Sequence, residues 1–395
     1  MIVLQRTLFC LRWVGKHVPL PTTFAPSSAA TAATGRFRIS TSVIAATSKI
    51  DFSSNHGFLP SCSNTSIVRR HSSSSTFVQG MRHLQKLKED QDEDFCRESW
   101  ASGRFLVLYD MKPVLKHLED GKQWGIAWSY VNDLCDILQE AHQSTVEESI
   151  VLNCTSSDTS GPAKFAFNIP AKTDPEHKRG IEEALGGFAV SERKAFFVVS
   201  REDARILSQC FALLQWHSKN GFCSNCGSKT KKDPPGAKRV CPNCEVIHYP
   251  AVSPVAIVLV TNGDRCLVVR QKKFPPAMYS AIAGFCEPGE ALEATVKREI
   301  AEEVGLEVED VTFFSSQPWA FPSSTLMLGC HAHVKQGTTD EVNLDEAELE
   351  GSRWLHRDEV KAILKENTPG RGDGVWFPPS RAIAHHLLKS WASQQ

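Results

Sequence analysis

One stretch constrains this 395-residue chain more than any other: Gly284-x5-Glu290-x7-Arg298-Glu299-Ile300-Ala301-Glu302-Glu303-Val304-Gly305-Leu306. Glu299, Glu302 and Glu303 stand at i, i+3 and i+4, so a helix of 3.6 residues per turn carries them on one face. Three carboxylates that close repel one another and weaken the helix. The arrangement makes sense when a hard dication sits among them. Mg²⁺ takes oxygen ligands, keeps several waters and uses its remaining positions for phosphates. Ala294 and Ile300 supply the apolar contacts of the inner face. Gly284 and Gly289 permit a tight loop before the helix, and Gly305 suits its C-terminal stop. A solvated, Glu-rich surface helix is the plain alternative, but it gives no reason for the flanking glycines or for Arg298.

A second constraint lies upstream. Cys223-x2-Cys226 and Cys241-x2-Cys244 are separated by 14 residues. Two such knuckles let four thiolates converge on Zn²⁺ as a tetrahedron. Gly227, Pro234, Pro235 and Gly236 fall between them, where a hairpin has to turn. With sulfur at all four positions no open site remains for a catalytic water, so this zinc is expected to hold a small ribbon together. Lys229, Lys231, Lys232, Lys238 and Arg239 give the ribbon a basic tilt, which keeps a nucleic-acid module in view. No interleaved aromatic residues accompany them for base stacking.

The segment 284–306 resembles the Nudix box, Gx5Ex7REUxEExGU with U a bulky apolar residue, at every defined position. The resemblance implies a metal-dependent hydrolase of nucleoside diphosphates linked to another moiety. It implies an α/β fold: an α/β/α sandwich on a mixed sheet, preceded by the four-Cys zinc ribbon and an α+β N-terminal domain. By motif position, Glu299 and Glu303 are the principal Mg²⁺ or Mn²⁺ ligands and Glu302 completes the acidic face. Arg298 and Glu290 form a supporting ion pair. Metal-bound water of lowered pKa would attack the pyrophosphate, with a carboxylate or metal-bound hydroxide as base. Ala283, just before the box, matches a backbone metal contact, and Glu348, six residues before Trp354, a further metal carboxylate.

Beyond the box, Ser316-Gln317-Pro318-Trp319-Ala320-Phe321-Pro322-Ser323-Ser324 resembles the SQPWPFPxS array of the NADH pyrophosphatases. Ala320 stands where that array has a second proline, and one extra residue precedes Leu326-Met327. Trp319 and Phe321 offer flat faces for a base or nicotinamide ring, and the prolines hold the loop extended. Core packing of the two rings is the alternative. Tyr249, five residues after the last ligand cysteine, matches a substrate-contacting tyrosine. Pro378-Pro379 and Ala384 correspond to a substrate-lining region. The activity implied is cleavage of NADH or NADPH to reduced nicotinamide mononucleotide and AMP or 2′-phospho-AMP, by a homodimer. Removal of NAD caps from RNA 5′ ends is the neighbouring reading. A zinc-ribbon binding module carrying an inactive Nudix fold is the reading from another class. His331, His333, His385 and His386 are assigned no role.

The first 75 residues contain eight basic residues and a single acid, Asp51, among abundant Ser, Thr and Ala. That composition marks a mitochondrial (matrix) transit peptide. An acidic stretch, Glu89 to Asp94, closes the tail. The chain as a whole is balanced, with 44 Lys+Arg against 45 Asp+Glu, which argues against nucleic-acid binding by bulk charge. No apolar run approaches the roughly 20 residues of a membrane span, so no membrane partner is expected. Four segments follow: a transit and disordered region 1–80, an α+β domain 81–210, a ribbon 211–250 and the Nudix domain 251–395. Within 105–200, Phe105–Leu108, Ser149–Leu152, Phe165–Phe167 and Ala195–Val199 read as strands and Val131–Leu138 as a helix. A further helix is expected over Ser200–Trp216. No chemical constellation appears there, and packing or dimerisation is its expected role.

Overall fold

The computed structural model describes residues 76–89, 93–119, 121, 123–138, 148–152, 162–171, 175–321, 323–366 and 374–394. The basic N-terminal region and Pro322 lie outside the described residues. In the N-terminal part the elements run α1 (Thr76–Glu89), α2 (Glu93–Ala101), β1 (Arg104–Tyr109), β2 (Lys112–His117), β3 (Trp124–Ile126), β4 (Trp128–Ser129), α3 (Val131–Leu138), β5 (Ile150–Leu152), β6 (Lys164–Ile169), α4 (Pro175–Ala184), β7 (Phe188–Ala189), α5 (Glu192–Val198) and α6 (Arg201–Lys219). Strand β1 is central, antiparallel to β2 and parallel to β6. Its alternation sends Phe105, Val107 and Tyr109 into one core, with Leu84 and Leu87 of α1. Leu106 and Leu108 enter the other, beneath α6. Both sheet faces are therefore covered, which is why every residue of β1 after Arg104 is buried.

Three details differ from the sequence reading. Ala195–Val199, expected as a strand, belongs to helix α5 except for Val199. Its β-branched and aromatic composition is outweighed by tertiary burial of Ala195 and Phe196 on one side of the turn. The boundary placed at 210/211 falls inside α6, whose start is capped by Ser200 Oγ accepting from the Asp203 N–H at 3.0 Å. The boundary at 80/81 falls inside α1, so the ordered part begins no later than Thr76.

The ribbon is three two-residue strands, β8 (Lys231–Lys232), β9 (Arg239–Val240) and β10 (Ile247–His248), in antiparallel order β8-β9-β10. The C-terminal part is built from β11 (Ser253–Asn262), β12 (Arg265–Gln271), β13 (Ile282–Phe285), α7 (Leu292–Val304), β14 (Val308–Trp319), β15 (Thr325–Val334), β16 (Leu349–His356), α8 (Arg357–Glu366) and α9 (Ile383–Ala392). The sheet order is β14-β15-β11-β12-β16, with β13 also on β11. The β11–β15 pair is parallel and the rest are antiparallel, a mixed sheet.

Strand β11 shows how sequence makes three layers. Ala256, Val258 and Val260 point to one face, against Val296, Ile300 and Val304 of α7. Ile257 and Leu259 point to the other, against Ile383, Leu387 and Leu388 of α9. Burying each of the three aliphatic side chains of α7 is worth about 1.5–3 kcal/mol. A like-charge pair at i, i+4 costs only a few tenths, so packing can hold the acidic helix in place. The result is the α/β/α sandwich the sequence implied.

Candidate active site

Arg298 organises the box. Its Nε donates to Glu290 Oε1 at 2.6 Å and its Nη2 to Glu290 Oε2 at 2.9 Å, a two-pronged pair. Nη2 also donates to the Phe285 carbonyl at 2.9 Å, and Nη1 to Glu299 Oε1 at 2.7 Å and Glu302 Oε2 at 3.0 Å. These bonds raise the Arg298 pKa still further, those to Glu290 contributing most. Glu290 in turn accepts from the Glu287 N–H and from Thr295 Oγ1, both at 2.9 Å, locking the loop ahead of α7. One guanidinium thus ties β13, the loop and two turns of helix together. Gly284 completes the fit, because a Cβ there would lie 1.8 Å from the Glu299 carboxylate carbon. Gly305, at φ +68°, ends the helix in the left-handed conformation.

The carboxylates divide by environment. Glu302 is exposed, whereas Glu299 and Glu303 are 8% and 4% exposed. Burial raises the Glu299 pKa in spite of Arg298. Glu303 has no such partner: burial first, then the charges of Glu299, Glu348, Asp345 and Glu302, push it up to about 8. Its Oε2 is buried without a hydrogen bond. Burying an unpaired carboxylate is expensive, and this donor set fits an oxygen-seeking dication. Glu299 and Glu303 would hold it, with Glu348 and Glu302 at the exposed side. The charge on Glu348 is felt by both buried carboxylates. Asp345 belongs to the same group: its charge acts on Glu303 and its N–H bonds the Glu303 carbonyl at 2.9 Å. Sequence reading passed over Asp345 because it lies in a run of acidic loop residues with no motif spacing.

The four cysteine sulfurs lie within 4.8 Å of one another. Cys223 and Cys244 are 3.6 Å apart and Cys226 and Cys241 3.5 Å. A tetrahedron of Zn–S bonds near 2.3 Å has edges of about 3.8 Å, so the set fits a structural zinc. The backbone and side chain of Ser228 bring Cys226 down to about 5, favouring the thiolate. His248 Nε2 lies 3.3 Å from Cys223 Sγ and Asn243 Nδ2 donates to Cys226 Sγ at 3.6 Å, contacts that orient ligands from behind. Among the described residues this is the one donor set of three or more drawn in so closely. The carboxylates of α7 are not, since unneutralised they repel and Glu299 is turned to Arg298.

Residues 252–382 match the NUDIX domain and residues 218–249 the NADH pyrophosphatase zinc ribbon domain. Human mitochondrial NAD(P)H pyrophosphatase NUDT13 is 40% identical over 333 residues, spanning 81% of this chain and 92% of that protein. The chain belongs to the Nudix hydrolases. Human NAD-capped RNA hydrolase NUDT12 is 39% identical over 239 residues, 58% of this chain and 50% of its own length. The NAD-capped RNA hydrolase NudC of Stutzerimonas stutzeri is 37% identical over 191 residues, covering 48% and 63% respectively. A solved NUDIX hydrolase from Nitrosomonas europaea aligns at 20% identity with a TM-score of 0.32, over 44% of this chain and 91% of its own.

In this Nudix hydrolase the segment 316–324 has two parts. Gln317 joins β14 to the start of α9, donating from Nε2 to the Arg381 carbonyl at 2.7 Å and accepting from the Ile383 N–H at 2.8 Å. Ser316 and Pro318 continue β14 and are exposed. Trp319 ends β14, paired with Thr325, and with Ala320 and Phe321 just beyond it packs into the N-terminal core. Trp319 meets Phe196 edge-on at 5.3 Å, and Phe321 contacts Phe196 and Phe211 at 5.7 and 5.9 Å. The rings expected as open stacking faces are thus engaged from within the chain. Ser323 and Ser324 are half-buried, and the Ser324 carbonyl accepts from the Ser253 N–H at 3.0 Å. Ala384 lies in the core beneath α9, so its side chain is closed to a ligand. Ala283 pairs with Ile257 on β11. Tyr249 is 65% exposed. Phe285, directly after Gly284, is 56% exposed and presents an aromatic ring beside the box. It escaped sequence reading because the motif leaves its position undefined.

Proposed function

We propose that this Nudix hydrolase splits the pyrophosphate of NADH and NADPH, with Mg²⁺ or Mn²⁺, into reduced nicotinamide mononucleotide and AMP or 2′-phospho-AMP. The observation that carries the reading is the buried, unpartnered Glu303 carboxylate beside Glu299, within reach of the charges of Glu348 and Asp345. The name and near full-length match of NUDT13 support the choice of substrate. A bound dication supplies charge neutralisation at the diphosphate and a more acidic water. The residues do the rest. Glu299 and Glu303 hold the ion. Arg298 fixes the Glu299 carboxylate and is itself oriented by Glu290. Phe285, and Tyr249 from the end of the ribbon, offer rings to a base. Water adds across one P–O–P bond, leaving a phosphomonoester on each half. Ala283 and Glu302 are assigned to the metal site, and Gln317, Pro318, Ser323 and Ser324 to the substrate side. The mitochondrial name of NUDT13 and the basic N-terminal region support a mitochondrial location, with the matrix as its compartment. Homodimer formation is part of the same proposal.

The names of NUDT12 and NudC support NAD-capped RNA as a second substrate carrying the same bond. One experiment addresses both readings. The purified chain is incubated with NADH, NADPH, NAD⁺ and NAD-capped RNA, with and without added magnesium or manganese, and the products are resolved. Metal-dependent release of mononucleotides, fastest from the reduced dinucleotides, is expected. Turnover of none of them would overturn the proposal.

A further inference from the structure

The turn that carries Glu348 is assembled around one residue, Asp345. Helix α7 ends at Val304, and the last carbonyls of a helix have no partner within it. The chain passes back over them after β15. The Asn343 N–H donates to the Val304 carbonyl at 3.0 Å, and the Asp345 N–H to the Glu303 carbonyl at 2.9 Å. Asp345 then turns the chain. Its carbonyl accepts from the Glu348 and Leu349 N–H groups, at 3.1 and 2.9 Å. Its Oδ1 accepts from the Ala347 N–H at 2.9 Å. A side-chain oxygen accepting from the N–H two residues on makes an Asx turn, which Asp and Asn close and Ser and Thr close more weakly.

Backbone N–H, backbone carbonyl and carboxylate of Asp345 are thus all engaged, and together they join the residue bearing one metal carboxylate, Glu303, to the residue bearing another, Glu348. The far end of the turn is fixed too. Leu349, directly after Glu348, begins β16 and is 1% exposed in the core that α7 covers. Lys272 Nζ, just past the end of β12, donates to the Glu346 carbonyl at 2.8 Å. The Glu348 side chain itself is exposed, and among the described residues no hydrogen bond or ion pair holds its carboxylate. Its direction is therefore set by the backbone beneath it. A long, mobile carboxylate loses rotamer freedom when it grips an ion, and a backbone fixed beforehand lowers that cost.

We propose that Asp345 is a positioning residue of the metal site: its carboxylate closes the turn 345–348 and so aims Glu348 at the ion that Glu299 and Glu303 hold. The proposal rests on the reading of α7 as a metal site. It adds that the Asp345 carboxylate acts as a hydrogen-bond acceptor for the chain, and neither as a ligand nor as a counter-charge.

The test is titration of the zinc-loaded full chain with Mn²⁺ alone, free ion being read by electron paramagnetic resonance and no nucleotide being present. Two substitutions separate acceptor from charge. D345N keeps an acceptor at Oδ1 and loses the charge; D345E keeps the charge and moves the acceptor one methylene farther out. D345N is expected to bind Mn²⁺ within threefold of the parent. D345E and D345A are expected to bind about tenfold more weakly, the effect usual for a group that orients a ligand. Added to E348Q, D345A should weaken binding by less than a further twofold, because an effect routed through Glu348 disappears with that ligand. Asp345 is exposed, so D345E is expected to melt within a few degrees of the parent, which separates weaker binding from loss of fold. Mn²⁺ binding weakened by E303Q and E348Q but indifferent to D345A and D345E overturns this proposal and leaves the metal site standing. D345N as weak as D345A overturns it, as does full additivity of D345A with E348Q. Binding absent at millimolar concentration, or indifferent to E303Q and E348Q, overturns the metal reading and this proposal together.

Discussion

Replacing Gly284 by alanine separates function from stability. Gly284 lies in the extended strand β13 and does not have a positive φ, so alanine suits the backbone. The new methyl, however, would sit 1.8 Å from Glu299 Cδ and 2.1 Å from each carboxylate oxygen, where ordinary contact begins near 3.4 Å. The carboxylate has to retreat by about 1.6 Å, since the strand and helix are held by their own packing. What moves is the far end of a flexible side chain, so the fold should lose no more than about 1 kcal/mol. The function should not escape. The 2.7 Å bond from Arg298 Nη1 is broken, and a metal ligand is displaced by more than the 1 Å that can already cost about 100-fold in rate. Expected for G284A are a melting temperature within a few degrees of the parent, weaker magnesium binding and turnover of dinucleotide down by two orders of magnitude or more. Thermal melts and metal titration of initial rates, followed by product analysis, measure all three. Unchanged metal affinity and a rate within threefold of the parent would refute the role given to Glu299 and to the glycine beneath it.

The Glu303 carboxyl, up to about 8 in the folded chain against an ordinary value of 4.5, predicts a pH dependence. The folded metal-free state holds a proton that the unfolded chain has released, so stability present below about pH 4.5 is lost as pH rises through 8. Melts without magnesium should fall over that range and E303Q should remove the slope; a flat parent profile would contradict the burial argument. Arg298→Lys keeps charge but cannot reproduce the two-pronged grip on Glu290, and kcat should fall at least tenfold with KM little changed. Cys223→Ser should unfold the ribbon, since zinc binding is folding energy, read as zinc content below one per chain. Trp319→Ala should destabilise by about 2–4 kcal/mol, because its ring packs on Phe196 and Phe197. A change in KM with an unaltered melt would instead assign that ring to substrate.

The sequence disclosed what rests on spacing. Gly284, Glu290, Arg298 and the three glutamates are fixed by the turn of a helix and the loop before it, and the cysteines by two local knuckles. Contacts between distant segments were not legible. Whether Trp319 and Phe321 face a ligand or another domain depends on where Phe196 and Phe211 lie, more than 100 residues earlier. The same gap in sequence hid the burial of Ala384. Strand-like Ala195–Val199 misled because composition alone does not distinguish a short buried helix from a strand.

The burial of Glu303 favours the proposed metal site over a solvated acidic helix. A solvated row would expose all three carboxylates and leave each near its ordinary pKa. Here exposure is graded instead: Glu302 lies outside, and Glu299 is inside but paired. Glu303 is innermost and has an unpartnered oxygen. The one guanidinium is fully engaged, with Glu290, Glu299, Glu302 and the Phe285 carbonyl, so it cannot neutralise Glu303 without releasing one of them. In the metal-free chain the remaining way to relieve that carboxylate is protonation. If the proposed dication binds there, a proton and the ion would compete for the same oxygens. The acidic face is held by the hydrophobic side of α7 in a state of higher energy than a solvated helix, and binding the proposed ion would relieve it.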